Sequence, residues 1–103
     1  MIRVIIESPF AGDKARNEKY LGICVRDCLM RGESPYASHA FFTQFLEDNL
    51  KQERELGIRA GLEWAKVADK VVFYTDYGMS PGMTFALNVH VAENRVIEYR
   101  QLF

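Results

Sequence analysis

The sequence predicts an α/β fold: a three-layer α/β/α Rossmann-like domain with a mainly parallel sheet of four to five strands in the order 2-1-3-4. Three observations carry this. Short β-branched runs such as "RVII" and "KVVFY" alternate along the chain with longer stretches whose apolar residues recur every three or four positions, the pattern of βαβ units with right-handed crossovers. The connections are rich in Gly, Pro, Asp and Asn, and no repeat or low-complexity segment interrupts the alternation. The first and third strands are the most apolar, which places them side by side at the centre of the sheet. At 103 residues the chain suits a single domain, residues 1–103, because one core serves this size.

Each element has its own signal. Ile2 to Ile6 is a buried strand by its β-branched run. From Asp13 the period changes: Tyr20, Leu21, Cys24, Val25, Cys28 and Leu29 form the apolar stripe of a helix, with Asp13 as N-cap and Gly32 as its stop. "SPYASH" supplies a second strand, Pro35 to Ser38, ending at His39. The segment "AFFTQFLEDNL" fits either one helical turn or a packed loop. Gln52 to Val67 is a second amphipathic helix with Leu56, Ala60, Trp64 and Val67 on one stripe. Lys70 to Thr75 is the third strand, Met83 to Glu93 a third helix stopped by Asn94, and Arg95 to Tyr99 the last strand.

Composition narrows the function classes. Lys+Arg number 13 against Asp+Glu 14, a formal net charge of -1, so there is no global basic field of the kind that non-specific binding to nucleic acid polymers needs. No apolar run approaches the ~20 residues of a membrane span, and no basic leader with an apolar core precedes the first strand, so a cytoplasmic protein without membrane contact is expected. Cys24 and Cys28 share one helix face within the apolar stripe, as buried reduced thiols do. With His39 and His90 as the sole histidines, neither a metal site nor a cofactor is expected.

In an open α/β sheet, ligands sit outside the carboxyl ends of the strands at the topological switch point. Here that edge gathers Glu7, Ser8 and Phe10 after the first strand, His39 after the second, and Asp76, Ser80, Gly82 and Met83 after the third. Hydroxyls, a carboxylate, an imidazole, apolar surface and the opening of a helix make a mixture suited to a small polar ligand with an aromatic base. Asp76 is expected to accept hydrogen bonds from sugar hydroxyls, and Ser80 with the amides around Gly82 and Met83 to hold a phosphate. Each residue also has a plainer role: Asp13 as a cap, Asp76 as a turn former, His39 as a structural histidine, Phe10 as a core plug and Ser80-Pro81 as a helix opening.

The layout "ESPFAGD", helix, "SPYASH", helix, "KVVFYTD" and "SPGM" resembles the nucleoside 2-deoxyribosyltransferase-like family over nearly the whole chain, particularly its small, often phage-encoded members. The most specific portion is "WAKVADKVVFYTDYGMSPGMTFAL", with an aspartate before the third strand and a Ser-x-Gly turn opening the next helix. The resemblance implies a nucleophilic glutamate on that helix, attacking the deoxyribose C1′, and an assisting aspartate near the end of the third strand, for which Asp76 can stand. The glutamate is expected about one turn after Gly82, where the chain has Met83, Thr84, Phe85 and Ala86; Glu93 lies about two turns further on.

Three readings follow. The first is a nucleotide-binding protein that keeps the pocket without the covalent chemistry, a phage sponge for a signal of the cyclic ADP-ribose or cyclic dinucleotide type. The second is an N-glycoside hydrolase or deoxyribosyltransferase in which Glu7 or Asp76 replaces the missing glutamate. The third is an interaction domain without a ligand. The partner expected is a small nucleotide-type ligand. Phe41, Phe42, Phe45 and Trp64 exceed what so small a core hides, which predicts a homo-oligomer, most simply a two-fold dimer.

Overall fold

The computed structural model describes residues 1–103. In chain order the elements are β1 (Ile2–Glu7), α1 (Lys14–Met30), β2 (Glu33–Tyr36), α2 (Ser38–Phe41) continued by a 3₁₀ turn (Phe42–Gln44), α3 (Lys51–Ala65), β3 (Lys70–Tyr74), α4 (Pro81–Ala92) and β4 (Ile97–Arg100). The four strands form one sheet in the order β2-β1-β3-β4, parallel at every pairing, with Ile5 opposite both Tyr36 and Val71 and Phe73 opposite both Glu7 and Tyr99.

Alternation along the strands divides the core in two. Val4, Ile6, Val72 and Tyr74 pack with Tyr20, Leu21, Cys24 and Cys28 of α1. Ile5, Val71 and Phe73 face the other way, with Ala65 of α3 and Met83 of α4. Helices therefore cover both faces of a central β1–β3 pair, as the apolar strand runs require. No helix is long and apolar enough to cross a membrane.

The element ends differ from expectation for local reasons. β2 runs from Glu33 to Tyr36 rather than 35 to 38. Glu33 is buried and bound by both nitrogens of the Arg100 fork (2.8 and 2.7 Å) and by Lys70 (3.0 Å), which draws the start of the strand into the sheet. Pro35 is tolerated because β2 is an edge strand. Ser38 and His39 open a helical turn instead of ending a strand, so "AFFTQF" takes the helical alternative. α4 starts at Pro81, two residues early, because Ser80 caps it by accepting from the Met83 amide (3.2 Å) and proline suits the first helical position. Asn94 stops α4 in the left-handed region (φ 58°), and β4 is displaced to Ile97–Arg100.

Candidate functional site at the carboxyl edge of the sheet

The bend after β1 is shaped from within α1. Asn17, almost wholly buried, donates to the carbonyls of Phe10 (3.2 Å) and Ala11 (3.0 Å), and Gly12 takes the positive φ (96°) that turns the chain into the Asp13 cap. This fixes Ser8 beneath the bend, buried, with its hydroxyl 2.8 Å from Nε2 of His39. His39 is delivered by α2, which crosses α3 at Gly61: a side chain there would collide with Ser38. Phe10 meets the His39 ring edge-on at 6.4 Å, and Lys14 lies over Phe10 at 5.4 Å. Burial pushes the His39 pKa down, against the pull of the Glu7 carboxylate. The ring is therefore neutral at neutral pH and can give or take one proton with Ser8.

Glu7, at the end of β1, points toward α4, where its Oε2 meets Nε2 of His90 at 2.9 Å. Nδ1 of His90 accepts from Arg95 (2.9 Å), which assigns the ring proton to Nε2 and makes His90 the donor to Glu7. Arg95 is held in turn by Glu93 (2.9 Å). His90 is completely buried. Sequence reasoning passed over it as a member of the run "ALNVHVA"; the available signal was that a histidine inside an uncharged, apolar helix requires buried polar partners.

Asp76 follows β3 and has its oxygens engaged. Oδ2 accepts from the Tyr20 hydroxyl (2.5 Å), and Oδ1 accepts from the amides of Leu102 (2.8 Å) and Phe103 (2.9 Å). Burial opposes the charge, but these donors outweigh it and hold the carboxyl below the usual carboxylate range. Around it Tyr20, Tyr77 and Phe103 form an edge-to-face aromatic cluster, with ring centroids at 4.8 and 6.0 Å. The Arg16 guanidinium, steadied by Asn17 Oδ1 (3.0 and 3.2 Å), lies 4.0 Å over Tyr77. Arg16, Asn17 and Tyr20 were not among the expected site residues, since their roles depend on contacts across the fold.

The expected site residues therefore fall into three groups along this edge. Ser8, Phe10 and His39 meet directly, and Asp76 belongs to the tyrosine cluster. Ser80, Gly82 and Met83 open α4, but Met83 is buried in the core beside Phe73 rather than open to a ligand. Of the first α4 amides, Pro81 has no N–H, Met83 donates to the Ser80 side chain and Thr84 to the Ser80 carbonyl. The Gly82 N–H is left without a partner among these first-turn donors.

A concavity of about 490 Å³ lies at the opposite end of the sheet, between the ends of α3 and α4, and is lined by Lys66, Asp69, Lys70, Glu93, Asn94 and Arg95 among others. Its charged side chains already have partners: Arg95 pairs with Glu93 within the lining, Lys66 with Glu63 and Asp69 with Arg3 beside it. The chemistry-bearing pairs are at the carboxyl edge, and the site is placed there for that reason.

A four-stranded parallel α/β domain with its polar pairs gathered at the switch point is the class the architecture defines. The chain belongs to the family described as a domain of unknown function, DUF7768, whose profile matches residues 2–101. No curated protein matches it. Among solved structures it is similar to a 2-deoxyribosyltransferase from the psychrotolerant bacterium Bacillus psychrosaccharolyticus, at 16% identity and a TM-score of 0.66, covering 96% of this chain and 72% of that one. That likeness is one of fold, a Rossmann-like, deoxyribosyltransferase-like architecture.

Proposed function

We propose that the chain binds a nucleoside or nucleotide at the carboxyl edge of its sheet and holds it without covalent chemistry, as a phage-type sponge for a nucleotide signal of the cyclic ADP-ribose or cyclic dinucleotide kind. One observation carries the second half of this reading: the two carboxylates that could replace the expected glutamate, Asp76 and Glu7, are both engaged within the chain. The Asp76 carboxylate accepts from three donors, Glu7 is tied to His90, and the first turn of α4 bears none. Recognition groups are nevertheless present in the neutral Ser8–His39 pair, the open Gly82 amide and the exposed edge of Tyr77. The fold likeness to a 2-deoxyribosyltransferase supports a nucleoside-type ligand.

A second reading, N-glycoside cleavage, is favoured by one feature: His90 engages only Oε2 of Glu7, which leaves Oε1 without a hydrogen-bond partner in the chain. One experiment separates the two. The protein is incubated with nucleosides, nucleotides and cyclic nucleotides, then denatured. Intact ligand supports sequestration, whereas free base that disappears in Glu7→Gln supports cleavage. A protein that neither retains nor converts any of the panel is an interaction domain.

The same reading includes a homo-oligomer. α4 carries no charged residue from Pro81 to Ala92, yet Phe85 and Val91 are more than half exposed (53% and 57%). An uncharged helix that leaves large apolar side chains in the open is suited to burial against a partner, and a second copy related by a two-fold axis would cover this one. Phe41, Phe45 and Trp64 are also exposed.

A further inference from the structure

We infer that Leu102 and Phe103 are a displaceable occupant of a ligand subsite formed by Asp76, Tyr20 and Tyr77, and that a nucleoside enters by replacing them. The inference rests on the reading of the edge as a nucleoside site and adds to it the particular subsite and the way it is opened.

The segment after β4 makes the contacts a nucleoside would make. Two adjacent N–H donors converge on Oδ1 of Asp76 at 2.8 and 2.9 Å, the arrangement that neighbouring sugar hydroxyls present to a carboxylate. The Phe103 ring stands edge-to-face against both Tyr20 and Tyr77, at 6.0 Å from each, where a planar base would find the same aromatic walls. Beyond these contacts Leu102 rests half-buried against the core on the α1 face, whereas Phe103 is 73% exposed, and Gln101 to Phe103 belong to no helix or strand. The walls, by contrast, are fixed. Tyr20 is buried, its hydroxyl donates to Oδ2 and accepts from the Asp76 amide (3.1 Å), and Asn17 steadies the Arg16 guanidinium beside Tyr77. A rigid cage filled by a detachable aromatic residue is open to exchange for another aromatic ligand with paired donors. The guanidinium of Arg16 gives that ligand a partner for a phosphate, so a nucleoside monophosphate should bind more tightly than its nucleoside.

The test uses the full chain with adenosine, thymidine and their 5′-monophosphates as probes. Binding is measured by calorimetry, and exchange of the Leu102 and Phe103 amides by NMR. Leu102→Pro removes one donor to Asp76, and Phe103→Ala removes the ring. If the segment competes with ligand, both variants bind a probe roughly fivefold or more tightly than the wild type, by the fraction of time the cage was closed. The Leu102 and Phe103 amides of the wild type should then lose protection on binding, and Arg16→Gln should abolish the preference for the monophosphate. If a probe binds while both amides stay protected and neither variant gains affinity, the displacement is wrong and the nucleoside reading stands. If no probe binds the wild type or either variant, the displacement is wrong, and the nucleotide reading is then decided by retention of the cyclic nucleotides.

Discussion

Replacing Glu33 by glutamine tests the polar scaffold that holds the site. Glu33 opens edge strand β2, and Arg100 closes the opposite edge strand β4, yet their side chains meet as a two-pronged buried pair across the sheet. The Arg100 guanidinium also reaches the Tyr74 hydroxyl (3.0 Å), two residues before Asp76. Hydrogen bonds from Arg100 are the main cause that holds the Glu33 carboxyl at about 2, against burial, which alone would raise it; Lys70 adds to the effect. Displacement from an ordinary 4.5 to about 2, at about 1.4 kcal/mol per unit, makes the charged form worth on the order of 3 kcal/mol to the folded state. The sign follows from the depression: this stability is present above pH 4.5 and is lost as pH falls toward 2. Against a total of roughly 5–15 kcal/mol for a domain of this kind, that is a large share. Urea unfolding followed by circular dichroism at pH 7 and pH 3 should therefore show the wild type losing more stability between the two than Glu33→Gln, and the variant already weaker at pH 7. Equal losses in the two proteins would refute the assignment of this acid sensitivity to Glu33.

Three further outcomes are expected. Gly61→Ala pushes a methyl group into Ser38 and should cost about 1–3 kcal/mol by thermal melting, while the double variant with Ser38→Gly recovers most of the loss. The His39 pKa is lowered from 6.5 by burial, so its contribution to stability is present above pH 6.5 and falls away as pH drops through that value toward the folded one; His39→Gln should flatten the melting temperature between pH 7 and pH 5. Phe85→Glu, placed on the uncharged α4, should convert a dimer to a monomer in light scattering at micromolar concentration, with no change in far-ultraviolet circular dichroism.

The strand order was legible because Val4-Ile5-Ile6 and Val71-Val72-Phe73 are apolar on both faces, and only the centre of a parallel sheet accommodates such runs. The helix of Asp13 and Gly32 was legible from its caps. β2 was misplaced by two residues because the burial of Glu33 depends on Arg100, 67 positions away, and no local pattern records such a partner. The same holds within the site. Ser8, His39 and Phe10 could be brought together by topology alone, since each follows a strand at the same edge. The partners of Asp76 could not, because a tyrosine 56 positions earlier and amides 26 and 27 positions later reach it only through packing. His90 was hidden differently, as a polar residue in an apolar run whose partners Glu7 and Arg95 lie on a strand and a connection.

The central claim is that ligand binds at the carboxyl edge of β1 and β3 and not in the groove at the other end. Titrating ¹⁵N-labelled protein with whichever nucleotide it retains, and following the backbone amides, tests this most directly. The account predicts that Ser8, His39, Asp76 and Gly82 shift together with saturation while Lys66, Asp69, Asn94 and Arg95 stay in place. Saturable shifts confined to the second set would contradict it.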